Sequence, residues 1–501
     1  MRTDRVQKVE SYIFLFVLVL NLAPVFLVKF FPSVDGPAHL YNSNILNQLL
    51  FTPGTPLSAY FMFNPAIVPN WFSSVILSAF NLILPAFIAE KILIIFFLVS
   101  LPVAFRRLVK AISPENYVLS YLIFPLTYSI VLLMGFYNFS AGLIFLLFAL
   151  SAFVRNVNNL FRPPIAISML IWFILIYFSH VFIFVITLIS ISMYLVVSTL
   201  VKYIDGIISL SRLLTDFLKK AFFVLLMAFI PLIMMCLYYY PQLKLNSFPV
   251  YLGFKQLSGM LMNMHVLIMY NFAFEQKYTQ NIIYILVVLF AAAIFQWFSR
   301  IRLNKSTSPG PDSMRNIRIP FNESDTWLLI AVVVLVLFFK MPESNIFGGF
   351  ISIRLSLMFY LFFFLWLSAQ RISWKISGVA VFVLLSIHFN LMMFNIRALK
   401  VLDRVAQDCN NASIYIKPNS IVLPVNCSDD WKHYHFSNYS GVDKPLVILD
   451  NYECMVGYFP LKWNENQIPN LVFGNWHHNE PGKYHWVGNY NCRHFVYYRR
   501  L

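Results

Sequence analysis

The residues best suited to chemistry stand in short polar motifs between long apolar runs, and the first is Asp35-Gly36-Pro37-Ala38-His39. Proline is favoured in the first turn of a helix, so Gly36-Pro37 reads as a helix start, and the amphipathic stretch from Tyr41 to Phe51 continues it. Asp35 then sits at the amino end, where the helix dipole favours a negative charge, with His39 about one turn further on. No Lys or Arg occurs from Phe30 through Ala89, so the carboxylate has no counter-ion nearby in sequence. Three roles are open to it: a plain helix cap, a group that accepts a proton or orients a hydroxyl, or one ligand of a metal.

Three more motifs follow. Gly135-Phe136-Tyr137-Asn138-Phe139 is a tight polar turn, in which Gly and Asn serve backbone geometry and Tyr137 and Asn138 offer hydrogen bonds. Ser179-His180 closes one apolar run. Gly348-Gly349-Phe350-Ile351-Ser352-Ile353-Arg354 opens another, with Lys340 near the same level. A cation there either snorkels toward lipid headgroups or holds a phosphate through charge-assisted hydrogen bonds. Late in the chain, His433, His435, His477, His478, His485 and His494 are interleaved with Trp463, Trp476 and Trp486. They show no clean metal-ligand spacing; the aromatic surface either packs a small domain or stacks on sugar rings.

The elements that position these motifs are set by composition. The chain has 501 residues, 59% of them apolar and only 12% charged, with a mean hydropathy of +0.69, which excludes an ordinary soluble domain. Apolar runs near the roughly 20 residues of a bilayer span recur at about 12–31, 90–105, 117–134, 138–154, 164–178, 181–200, 221–240, 281–298, 326–341, 354–370 and 376–394. The net charge of +16 falls mainly in alternate loops, around Arg5, Arg107, Arg155, Lys219, Arg300 and Arg371. Under the positive-inside rule this places the N-terminus in the cytoplasm and every motif above on the outer face. Segments 71–89 and 257–274 would break that alternation as crossings, so they read as re-entrant or interfacial. Scattered basic loops, with no basic domain, argue against nucleic acid.

The expected fold is an all-α polytopic membrane bundle of about 11 transmembrane helices plus re-entrant or interfacial helices, with a small α+β or β-rich C-terminal exported domain. Residues 1–395 form the transmembrane domain, including the outer loop 32–89, and 396–501 the extracytoplasmic domain. There Cys409, Cys427, Cys454 and Cys492 are expected to form two disulfides. An outer face with one carboxylate, a cation at phosphate depth and an aromatic domain meets the needs of sugar transfer from a polyprenyl phosphate. The phosphate needs a cation, the acceptor alcohol needs a base, and the leaving phosphate needs no strong acid.

This layout resembles the GT-C superfamily of membrane glycosyltransferases, which includes protein mannosyltransferases and aminoarabinose transferases. The Asp35 to His39 motif, together with Gly135 to Phe139, Ser179-His180 and Gly349 to Arg354, is similar to that of bacterial multi-pass proteins of the same layout. By this resemblance Asp35 is the base or acceptor-orienting acid of an inverting transferase. A single acid replaces the paired Asp/Glu motif of many members, so no cofactor is expected, with a divalent metal left open. Arg354, helped by Lys340, would grip the donor phosphate, and His39, Tyr137, Asn138 and His180 would contact sugar or acceptor. The implied partners are the lipid bilayer, a polyprenyl-phosphate sugar donor and a glycan, lipid or protein acceptor. The implied location is the inner (plasma) membrane, with the C-terminal domain periplasmic or extracellular. Two rival readings are a transporter or flippase of lipid-linked substrate and a non-catalytic scaffold of surface-polysaccharide assembly. Transporters place ionisable groups near mid-membrane, whereas the candidates here lie at the rim.

Overall fold

Inside a bilayer no water is available to backbone amides, so apolar runs of this length must close their hydrogen bonds within helices. The computed structural model describes residues 2–204, 209–242, 248–306, 322–344, 348–426, 428–464, 466–467 and 495–500. Among these residues nine helices are long and apolar enough to cross a membrane: Val6–Phe26, Ala86–Ile112, Pro114–Leu133, Tyr137–Asn156, Val181–Ile204, Ser211–Gln242, Phe272–Phe298, Ile351–Ala369 and Trp374–Tyr415. Pro163–Ser179 and Thr326–Lys340 are apolar but shorter, at 17 and 15 residues. The chain is an all-α polytopic bundle.

Pro114–Leu133, Tyr137–Asn156 and Ile351–Ala369 form its centre and are mostly buried, whereas Ser211–Gln242 and Phe272–Phe298 turn most of their side chains outward. Phe222, Phe229 and Phe295 are exposed on these outer helices, as lipid contact requires. At the end of the bundle where the chain begins, Arg106 pairs with the Glu10 carboxylate and donates to Ser120 Oγ at 3.1 Å.

Neither 71–89 nor 257–274 forms a spanning helix. Phe72–Asn81 has 10 residues, which at about 1.5 Å each cover half a hydrocarbon core. In the second segment Phe254–Met262 ends at Met264, whose φ of 47° turns the chain. Glu275 Oε2 then accepts hydrogen bonds from the backbone N–H groups of Met269, Tyr270 and Asn271 at 3.1, 2.9 and 2.7 Å, which fixes the entry to the next helix.

The helix that begins at Trp374 continues to Ala412, past residue 395. On its extension Asp403 accepts from the backbone N–H groups of Lys29 and Phe30 at 2.9 and 2.8 Å, tying it to the start of the first long loop. Strand β1 (Phe61–Phe63) of that loop pairs antiparallel with β4 (Leu461–Trp463). Strand β2 (Ser420–Val425) lies between β3 (Val447–Ile448), to which it is parallel, and β5 (Phe495–Arg500), to which it is antiparallel. Buried Tyr41 donates to the carbonyl of Leu446 at 2.5 Å and accepts from the N–H of Ile448 at 2.9 Å. The loop and the late segment therefore share one set of hydrogen bonds. Cys409 and Cys454 are both free thiols, so the expected linkage of all four cysteines in two disulfides is not formed; Cys454 packs instead beside Asn42, 3.9 Å from its Oδ1. Cys427, Cys492 and the histidines from His477 to His494 lie outside the described residues.

Candidate functional site

The position of Asp35 is set by its backbone. The N–H groups of Val34 and Asp35 donate to the carbonyls of Leu133 and Met134 at 3.3 and 2.9 Å, so the first loop lies against the turn at residue 135. Two glycines permit that approach. Gly135 has φ +86°, and a Cβ there would stand 2.7 Å from the Gly36 nitrogen and 2.9 Å from the Asp35 nitrogen. A Cβ on Gly36 would meet Ser33 Oγ at 2.2 Å and the Tyr137 hydroxyl at 2.5 Å. The Tyr137 hydroxyl is 2.8 Å from Ser33 Oγ and donates to Glu90 Oε1 at 3.1 Å, while Glu90 Oε2 accepts from the Phe31 N–H at 3.2 Å. Tyr137 and Glu90 are thus a buried post under the loop.

Asp35 occupies the N-cap position of the Gly36–Phe51 helix, yet its side chain makes no capping hydrogen bond. The carboxylate points instead toward the late segment, with 16% of the side chain exposed. His435 Nε2 stands 3.8 Å from Oδ1, and Tyr452 lies close enough to act on the charge of the carboxylate. Burial raises its pKa to about 7, against the opposing pull of His39, Tyr452 and Arg354.

His39 is enclosed. Its Nδ1 is 2.7 Å from Glu453 Oε1, and its Nε2 is 3.0 Å from the carbonyl oxygen of Gly135. The Gly135 carbonyl only accepts, so Nε2 carries a proton, and a second proton on Nδ1 would charge the ring beside the Glu453 carboxyl group. Burial opposes that charge, but the Glu453 carboxylate outweighs it and raises the pKa of His39 above its ordinary value. Glu453 is held in turn by Asn42 Nδ2, which donates to Oε2 at 2.6 Å.

Half-buried Arg354 is near enough to Asp35 for their charges to act on each other. Its guanidinium carbon is 4.5 Å from the Phe136 ring centre and 5.5 Å from that of Phe139, and its Nη1 is 3.3 Å from His180 Nε2. That contact makes His180 the acceptor and therefore neutral at this nitrogen. Among the described residues Arg354 has no carboxylate within ion-pair distance. Asn138 is fully engaged, its Oδ1 accepting from the N–H of Ser73 at 2.9 Å and its Nδ2 donating to the Asn70 carbonyl at 3.2 Å. It pins the start of the Phe72–Asn81 helix. Lys340 is exposed at the end of Thr326–Lys340 and joins none of these contacts.

Asp35, His39, His180 and Arg354 therefore belong to one cluster of buried and half-buried side chains, Tyr137 and Asn138 support it, and Lys340 stands apart. Sequence reasoning missed the other half of the cluster. His435 stacks on Tyr452 with ring centres 4.4 Å apart, and its Nδ1 is 4.0 Å from Asp450 Oδ1. Burial and the charge on His39 push His435 down to about 4, and burial pushes Asp450 up to about 7. Tyr452-Glu453 carries no motif, and Glu90 is disguised by Lys91 as an ordinary charged helix border. Among the described residues no group of three or more His, Cys, Asp or Glu side chains is arranged to hold a metal ion. No protein-family model, curated protein or solved structure matches the chain.

Proposed function

We propose that the chain is an inverting membrane glycosyltransferase that moves a sugar from a polyprenyl-phosphate donor to an acceptor hydroxyl on the outer face of the membrane. The observation that carries this reading is Asp35: a carboxylate at a helix amino end that does not cap its helix, keeps part of its side chain exposed, and feels the charge of a guanidinium that has no ion pair among the described residues. In the reaction Asp35 takes the hydroxyl proton as the acceptor oxygen attacks the anomeric carbon. The carbon–oxygen bond to phosphate breaks with its electron pair on the phosphate, and Arg354 compensates the charge. His39, paired with Glu453, braces the loop that carries Asp35 and takes no proton in the step.

In this reading Pro163–Ser179 and Thr326–Lys340 complete the nine longer helices to eleven crossings, with local bilayer thinning accommodating the shorter ones. An odd count would put the N-terminus and the late segment on opposite faces, and the basic loops favour the cytoplasm for the first of them. It would also put the Asp35, Gly135, His180 and Arg354 turns at one end of the bundle, where the cluster requires them. The test is transfer of a radiolabelled sugar from synthetic polyprenyl-phosphate donors by the purified protein in detergent. Wild-type protein is expected to transfer and Asp35→Asn is not, with equal membrane insertion; wild-type rates from Asp35→Asn would sink the mechanism.

A further inference from the structure

A polar cavity lies at the opposite end of the bundle from Asp35. It has a volume of about 750 Å³ and is bounded by Gln7, Lys8, Ser11, Tyr12, Lys110 and Tyr117, where Val6–Phe26 stands off from Ala86–Ile112 and Pro114–Leu133. Glu10 also borders it, but the Glu10 carboxylate is taken up by Arg106. Arg106 is itself fixed by Ser120 and by the rings of Phe14 and Tyr117, at 4.3 and 5.6 Å from its guanidinium carbon. The acid and its arginine cancel, so the charge of the cavity is that of Lys8 and Lys110. Both are exposed, and neither forms an ion pair with a described residue.

Depth identifies the ligand. Lys8 and Lys110 lie at the polar ends of two apolar helices, which is the level of lipid headgroups, and Tyr12 and Tyr117 are of the type that belongs at that interface. Below the cavity Tyr12, Phe16 and Val19 are exposed on Val6–Phe26, leaving an apolar track for an acyl chain. We propose that this cavity binds the phosphate headgroup of an anionic phospholipid, held by Lys8 and Lys110 and wedged between the first helix and the bundle. The site is independent of the chemistry at Asp35.

The same two lysines would also attract free phosphate, and the experiment separates the two sources. Purified full-length protein in a mild non-ionic detergent is presented with phosphatidylglycerol, phosphatidylethanolamine or inorganic phosphate, and retained adducts are counted by native mass spectrometry. The expected result is retention of phosphatidylglycerol at least fivefold above phosphatidylethanolamine, with no stable phosphate adduct. The double variant Lys8→Gln, Lys110→Gln should lose about tenfold of that retention, while Lys375→Gln, which removes an exposed lysine elsewhere at the same end, should keep it. Thermal unfolding of each variant without lipid checks the fold, and phosphatidylglycerol should raise the midpoint of wild type but not of the double variant. Equal retention of the two lipids, unchanged retention in the double variant, or phosphate bound as firmly as phosphatidylglycerol would each overturn the proposal.

Discussion

Asp35 can accept a proton only when ionised, and burial works against that form, raising its pKa to about 7. Transfer should therefore rise with pH through about 7 and level off above it, as a kcat profile between pH 5 and 9 would show. A flat profile would remove Asp35 as the base. Loss of a general base costs about 10²–10⁴ in rate, and that is the loss expected of Asp35→Asn at pH 8. Stability runs the other way. The folded-state pKa of Asp35 is raised, so its favourable contribution is complete below the ordinary value of 3.8 and is lost as pH rises through about 7. Asparagine carries no such penalty, so Asp35→Asn should be the more heat-stable protein at pH 8 while losing that advantage at pH 5. Thermal midpoints of the two proteins at both values check the sign, and a variant that is both inactive and less stable at pH 8 would mark Asp35 as a structural residue instead.

At the scale of elements, what the sequence made legible was local. Gly36-Pro37 starts a helix where its backbone preferences say it should, and the apolar runs become helices because hydropathy and span length are properties of contiguous residues. Glycine at 135 was likewise readable as a turn, although its reason, the 2.7 Å approach of Gly36, was not. The cap role offered to Asp35 fails for a cause no local pattern contains: Tyr452, His435 and Arg354 come to it from distant parts of the chain and compete for its carboxylate. His39 and Glu453 are joined in the same way. Breaking a buried ion pair by removing one partner strands the other charge, at a cost of about 3–5 kcal/mol. Glu453→Ala should therefore lower stability by that order and expose the first loop to protease, as limited proteolysis followed by gel analysis would detect. The double change His39→Leu, Glu453→Leu should recover a large part of the loss, since no unpaired charge remains. If the single and double variants are equally destabilised, the pair does not hold the loop.

At the scale of the whole molecule, the charge of +16 and the bundle bear on each other through topology. The exposed bend at Thr52 belongs to the loop that carries Asp35, whereas Arg162 and Arg371 lie exposed in turns at the far ends of the helices that lead to His180 and away from Arg354. If the basic turns are cytoplasmic, Thr52 must be outside, and no rotation of a single helix can change one without the other. The relation is open to a direct measurement. With the five native cysteines replaced by alanine, Thr52→Cys should react with a membrane-impermeant maleimide in intact cells. Arg162→Cys and Arg371→Cys should react only after lysis. All three positions are exposed outside the helices, so the substitutions should leave expression unchanged. Labelling of Arg162→Cys in intact cells, with Thr52→Cys protected, would invert the molecule and put Asp35 on the cytoplasmic face, where the donor would have to be presented from the other leaflet. Labelling of Thr52→Cys together with Arg371→Cys but not Arg162→Cys would mean that one of the two shorter helices, Pro163–Ser179 or Thr326–Lys340, does not cross, and in either case would separate Arg354 from the face on which Asp35 is exposed.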